Sequence, residues 1–395
     1  MQSRIIFEAD KMNYRTYAAI DLDAVEFNYK NIREKIPANV KMLGVIKADA
    51  YGHGAVEIAK FLEDKYDFFG VACIEEANEL VSANISTPIL ILGTVFPWNY
   101  EAVVENNIRI PVYTFEEAKA LSDEAVKKNK TVPFHFCLDT GMSRIGFQAT
   151  DESIELCKKI VKLPNIYAEG IFSHFATADE ADLSKANKQK EIFKNFCNSL
   201  EKEGIDLPIK HISNSAGIIN FDEYFDMCRV GIIQYGLYPS DDVDKSIIKI
   251  KPTMSWHTKI SFIKTLEKGR EISYGGTYTT EKETKVATIP VGYADGYPRC
   301  LSNNGKVIIN GKYANIIGRV CMDQLMVDVT DINCEIGDDV VLIGKQGNAE
   351  LTMEEVGNSA YSFNYELSCR ISRRIPRAYF KNNVPVKIVD YLTKY

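Results

Sequence analysis

One cation at the end of an apolar run is the first feature of this chain suited to chemistry. Residues 45–54 read VIKADAYGHG. The apolar stretch 42–46 leads directly into Lys47, and small, polar and turn-forming residues follow through Gly54. The pattern predicts a buried strand ending in a loop, with the amine at its rim. Partial desolvation lowers the pKa of an ammonium and leaves a neutral amine able to attack a carbonyl. Taken alone, Lys47 reads at least as well as a solvated side chain just past a strand end, since lysines snorkel readily.

Other polar residues stand at the ends of later apolar runs. LDTGMSRIG carries Asp139, Thr140, Ser143 and Arg144, and a further run ends in His174 and Thr177. HISNSAG carries His211, Asn214 and Ser215, and CRVGIIQYG carries Arg229, Gly231 and Tyr235. Cations, hydroxyls and glycines that expose backbone N–H groups are what grips a phosphate. Together with Lys47 and Tyr51 they suit a phosphorylated aldehyde, with Lys47 left for imine formation. Singly, each has a plainer reading: ion-pair partners for Arg144 and Arg229, a core histidine for His174, a helix cap for Ser215. Jointly those readings weaken, because five runs present polar residues on one expected face.

The elements that must position these residues alternate along the chain. Strand-like runs at 41–48, 68–74, 89–95, 110–113, 132–138, 167–175, 209–212 and 226–231 are separated by helix-period segments. Eight short apolar runs with intervening helices are the pattern of a (β/α)8 barrel, whose strands are buried on both faces. An open doubly wound sheet is the alternative, but no GxGxxG follows the first strand. Near Ser246 the helical periodicity fades and short β-rich runs punctuated by Gly, Asp and Asn take over. The expected fold is α/β: a barrel over residues 12–245, then an all-β domain over 246–395, with residues 1–11 packing on the latter.

A chain of 395 residues with 46% hydrophobic and 26% charged residues is ordinary globular material for two domains. The net charge of −7 without a basic tract argues against nucleic acid or an anionic membrane as partner. Nine cysteines, without CxxC spacing and not grouped with the five histidines, argue against a disulfide framework and a metal site. No run reaches the ~20 apolar residues of a membrane helix. The first fifteen residues include Glu8, Asp10 and Lys11 and do not resemble a signal peptide, so a cytoplasmic protein is expected.

VIKADAYGHG, LDTGMSRIG, SHFATAD, RVGIIQYGLYPS, SYGGTY, VGYADGYPR, GRVCMDQLMVDV and NYELSCRIS, in this order, resemble the alanine racemase family. The resemblance spans roughly residues 14–377. It implies a pyridoxal 5'-phosphate (PLP) enzyme that racemises alanine with two bases, supplying D-alanine for peptidoglycan, and a homodimer sharing its active sites. Lys47 is implied to bind the cofactor and act as one base, and Tyr274, from the other subunit, as the opposing base. Tyr51, Ser215, Gly231, Ile232 and Tyr365 are implied to hold the phosphate, and Arg229 to face the pyridine nitrogen with His174 behind it. Arg144, and Met322 of the second subunit, fall where the substrate carboxylate is bound. Asp179, Tyr293, Arg299, Arg319 and Phe363 fall at the entrance.

One position departs from the pattern. Many family members carry a carbamylated lysine two residues before the DTG, paired with the arginine of that block; here the residue is Cys137. A thiol forms no such carbamate, so Arg144 needs another anion, chloride or a nearby carboxylate. A serine or broad-specificity racemase on the same scaffold is the runner-up. A PLP-dependent decarboxylase fits less well, given the SYGG tyrosine.

Overall fold

The computed structural model describes residues 14–393. They form two compact units. One comprises Phe27–Ala50 and Gly54–Lys251; the other comprises the described residues up to Glu26, Tyr51–His53 and the chain from Pro252 onward.

The first unit is built on eight strands: Lys41–Val45, Phe68–Val71, Ile89–Ile91, Pro111–Val112, Val132–Asp139, Ile166–Phe172, Ile209–His211 and Met227–Val230. Parallel ladders join the eighth to the first, the first to the second, and the second to the third. Others join the fourth to the fifth, the fifth to the sixth, and the sixth to the seventh. Two looser joins complete the ring. Arg109 exchanges bonds with Ile89 and Ile91, both 2.9 Å, between the third and fourth strands. Asp226 N–H donates to Lys210 at 3.0 Å and Arg229 N–H to Ser213 at 2.9 Å, between the seventh and eighth. The sheet therefore closes and leaves no edge. Met42, Leu43, Phe69, Phe134 and Phe136 are fully buried, which is why these strands read as continuous apolar runs.

The helices between strands follow their caps. Phe115–Lys127 opens on a capping box between Thr114 and Glu117 and buries Ala118, Leu121, Ser122 and Ala125, one stripe of its surface. Several strands are shorter than their apolar runs. The run 68–74 yields only Phe68–Val71, because the next N–H, that of Ala72, is taken at 2.7 Å by the Glu76 carboxylate.

The second unit is centred on a sheet in the order Lys312–Asn315, Lys306–Ile309, Asp339–Gln346, Met254–Lys259, Thr16–Asp21, Arg377–Lys381 and Val384–Val389. Thr16–Asp21 lies between its antiparallel neighbour Met254–Lys259 and its parallel neighbour Arg377–Lys381. The expected barrel domain of residues 12–245 would include this strand, but its two ladders tie it to the C-terminal sheet. The same unit holds a three-stranded sheet of Phe262–Leu266, Thr284–Ile289 and Leu325–Asp328. It also holds two short helices, Met353–Ser359 and Asn364–Arg370, so it is mostly β rather than all β. The first of these starts at a Thr352–Glu355 capping box, a signal visible in the sequence TMEE. The expectation for residues 1–11 falls outside the described residues. No helix among the described residues is long and apolar enough to cross a membrane.

Tyr51–His53 is stitched into this second unit by its backbone. Arg377, 1% exposed, donates to the carbonyls of Gly52, Ser372, Ile375 and Ile371. Tyr379 Oη donates to the His53 carbonyl at 2.8 Å. Gly52 has φ 83°, and a Cβ there would lie 2.2 Å from the Ser368 carbonyl oxygen, so only glycine fits. Arg377→Met should leave four buried carbonyls without that donor and lower stability by about 3 kcal/mol or more. An unchanged urea midpoint in that variant would contradict this account.

Candidate active site

Lys47 follows the first barrel strand and begins an unusual turn. Ala48, Asp49, Ala50 and Tyr51 all have φ between 52° and 55°, one turn of left-handed helix without a glycine. Such a turn costs about 1–2 kcal/mol per residue and must be held from outside. Ala50 N–H donates to the Ile46 carbonyl at 3.0 Å, and the Asp49 carboxylate takes the Ala55 N–H at 2.9 Å. Glu76 accepts from Ala48 N–H and from Ala72 N–H, both at 2.7 Å, and so ties the ends of two neighbouring strands together. The position of Lys47 is thus set by its backbone.

Lys47 lines a cavity of about 240 Å³ at the C-terminal ends of the barrel strands, with Cys137, Asp139, Arg144, His174 and Arg229. Three cationic side chains face this space. The one carboxylate among its lining residues, Asp139, is already engaged: its Oδ1 accepts from the N–H groups of Gly141, Met142 and Ser143 at 2.9–3.0 Å. That contact folds the loop carrying Arg144, which makes no ion pair among the described residues. Burial pushes the Cys137 thiol up to about 12, against the pull of Arg229 and Arg144, so Cys137 supplies no negative charge. Nearby in the same unit, Ser215 Oγ accepts from Gly231 N–H at 3.0 Å, and Ile232 starts the turn that follows.

Arg229 is 3% exposed. It donates to the carbonyls of Ser173, His211 and Ile212 at 2.7–3.2 Å. Burial lowers its pKa to about 10, so it stays charged at neutral pH. His174 Nδ1 lies 3.1 Å from its guanidinium. Burial, then the charges of Arg229, Arg144 and Lys47, push His174 well below its usual range, so the imidazole is neutral and accepts at Nδ1.

The remaining expected residues lie in the second unit, apart from Asp179, which is in the loop after the sixth barrel strand. Tyr51 and Tyr365 approach with ring centroids 6.1 Å apart, and Phe363 lies 5.5 Å from Tyr365. Tyr274 sits in a tight loop between Glu271–Ile272 and Tyr278–Thr279 and is 71% exposed. Met322 is 52% exposed, and the Met322 carbonyl accepts from Ala294 N–H at 3.0 Å, beside Tyr293. Arg319 leans over the same loop: a Cβ on Gly275 would lie 3.3 Å from its guanidinium. Arg299 begins a one-turn helix ending at Leu301. No group of acidic, histidine or cysteine side chains suited to a metal occurs among the described residues.

Comparison with known proteins supplies a family for this arrangement. Residues 20–239 match the alanine racemase N-terminal domain, and residues 253–379 match the alanine racemase C-terminal domain. The chain is 45% identical over 380 residues to an alanine racemase of Clostridium perfringens, covering 95% of this chain and 98% of that one. It is 46% identical over 380 residues to the Clostridium tetani alanine racemase, with the same coverage of 95% and 98%. Among solved structures, the Clostridium difficile alanine racemase superposes with a TM-score of 0.94 at 43% identity, over 97% of this chain and all of that one.

Three side chains that support the residues lining the cavity were not singled out from sequence: Glu76, His135 and Glu169. The signal for the last two was present, a histidine inside the apolar strand FHFCLD that burial obliges to find a partner. From Arg229 a one-way hydrogen-bond chain crosses the barrel. Arg229 Nη1 donates to His211 Nδ1 at 2.9 Å, which leaves His211 Nε2–H to donate to His135 Nδ1 at 2.9 Å. His135 Nε2–H then donates to Glu169 at 3.2 Å, and Arg109 closes the chain with bonds of 3.0 and 3.1 Å to the same carboxylate. Burial raises the Glu169 pKa, but bonds from His135 and Arg109 outweigh it and hold the group at about 2, against an ordinary 4.5. Its stabilising contribution is therefore complete above pH 4.5 and lost as the pH falls toward about 2. Glu169→Gln should be less stable at neutral pH and lose less on acidification through that window. Parallel urea curves for the two proteins that converge nowhere in it would refute this.

Proposed function

The chain belongs to the alanine racemase family, and on that premise we infer that it interconverts L- and D-alanine. The observation that carries the reading is the cavity in which an amine, Lys47, stands beside Arg144 and Arg229 while the lone lining carboxylate is spent on its own loop. Such a donor set calls for an anionic carbonyl compound, and PLP fits it. When bound, PLP supplies the electron sink that makes the α-proton of an amino acid removable.

In this reading Lys47 binds the aldehyde carbon, and Tyr51, Ser215, Gly231, Ile232 and Tyr365 hold the phosphate. Arg229 would face the ring nitrogen and, charged at neutral pH, would neither give up a proton to it nor accept one from it. Neutral His174 accepts from Arg229 at Nδ1 and keeps its one ring N–H, on Nε2, to donate. Arg144 and Met322 orient the substrate carboxylate. Racemisation takes a proton from one face and returns one to the other, which requires a base on each side. Lys47 serves the D face and Tyr274 the L face. The exposure of Tyr274 and Met322 supports a homodimer in which each is lent to the barrel of a second copy. Asp179, Tyr293, Arg299, Arg319 and Phe363 line the entrance, and the product D-alanine serves peptidoglycan synthesis in the cytoplasm. With Cys137 neutral, an exchangeable anion such as chloride faces Arg144.

The PLP-loaded protein should racemise L-alanine without releasing CO2, as followed by circular dichroism, and should do so faster than it racemises L-serine. Borohydride should leave a phosphopyridoxyl group on the Lys47 peptide, and Tyr274→Phe should lower kcat by about 10²-fold or more. Label on another lysine, or inert L-alanine, would overturn the reading. Crystals grown with bromide should show anomalous density beside Arg144; featureless density there would remove the exchangeable anion.

A further inference from the structure

Ser273 is a non-glycine residue in a backbone conformation that glycine alone adopts readily: φ 67°, ψ −176°. It immediately precedes Tyr274. The loop is rooted on both sides: Ile272 pairs with Tyr278, and Ile272 is buried against Val286 and Ile317. At the strained residue, Ser273 Oγ donates to the Arg319 carbonyl at 2.7 Å, and Cys321 Sγ lies 3.4 Å from the same hydroxyl. The passing chain is shaped for this approach. A Cβ on Gly318, φ 79°, would lie 2.8 Å from both Ser273 Cβ and the Ile272 carbonyl oxygen.

Among the described residues the Tyr274 side chain makes no hydrogen bond and is largely exposed, so within its own chain only the backbone directs it. The direction of the phenol is set by the backbone that presents it. A glycine at 273 would adopt this conformation at ease; serine adopts it under strain and contributes a latch in return.

We infer that Ser273 is a positioning residue: its strained backbone, latched to the Arg319 carbonyl, sets where the Tyr274 phenol points. This rests on the reading of Tyr274 as the base for the L face. Rotation about the Ser273 backbone swings Tyr274 as a body, whereas Lys47 is held by the barrel and does not respond.

The test uses PLP-loaded enzyme and two variants. Ser273→Gly removes the latch and the strain together, so its melting temperature should stay level or rise by about 2 °C. Its kcat should nevertheless fall about tenfold. Ser273→Ala keeps the strain without the latch and should melt lower, with a similar loss of kcat. The discriminating readout is the α-deuterium isotope effect in each direction. Slower proton transfer at Tyr274 raises the effect with deuterated L-alanine and lowers it with deuterated D-alanine. A general loosening of the fold would not move the two in opposite senses. Wild-type kcat and isotope effects in Ser273→Gly, or isotope effects that shift together in either variant, would overturn the inference. Tyr274→Phe is the control. If it stays active, the base assignment fails and this inference falls with it; if it is inactive while Ser273→Gly matches wild type, only this inference fails.

Discussion

A guanidinium buried in a barrel core, with no carboxylate in contact among the described residues, organises the first unit of this protein. Arg229 keeps its charge and is satisfied by hydrogen bonds rather than by a counter-charge: three carbonyls and two imidazoles surround it. Because arginine only donates, every group it meets must accept. That requirement sets the tautomer of His211, through it that of His135, and leaves Glu169 as the acceptor at the far end. The negative charge that balances Arg229 therefore sits several bonds away, itself bound by Arg109. The cavity is thus lined by Lys47, Arg144 and Arg229, with its one lining carboxylate engaged by its own loop.

Strain recurs at both residues assigned to proton transfer. Lys47 begins a left-handed turn of alanines, aspartate and tyrosine; Tyr274 follows a serine in a glycine-like conformation. Each is stabilised by a hydrogen bond from a distant part of its own unit, Glu76 in one case and the Arg319 carbonyl in the other. Non-glycine residues in such conformations are costly and persist only where the surroundings over-determine them. In both places the backbone, which has few soft torsions, fixes where the side chain leaves the chain.

Much of this was legible in the chain. The eight apolar runs became eight barrel strands because strands buried on both faces cannot carry alternating polar residues. Lys47, Asp139, Arg144, His174 and Arg229 from their polar ends line one cavity because a parallel barrel puts those ends on one side. Thr16–Asp21 was harder to place, since TYAAID reads as a buried strand without saying whose sheet it joins. Ladder partners such as Thr258 and Arg377 lie more than two hundred residues away, and local pattern holds no record of them.

Residue type and order were enough to mark Lys47, Arg144 and Arg229 as chemically capable and to place them at element ends, because burial periodicity and turn chemistry act over a few neighbours; Tyr274 was marked only through the family resemblance. Folding in three dimensions settled which neutral and charged forms those groups take, and which way their backbones turn. Protonation follows from burial and from partners drawn from other strands, as with His211 and Glu169. A positive φ at Ala48 or Ser273 runs against local preference and exists only because remote groups, Glu76 and the Arg319 carbonyl, hold it there.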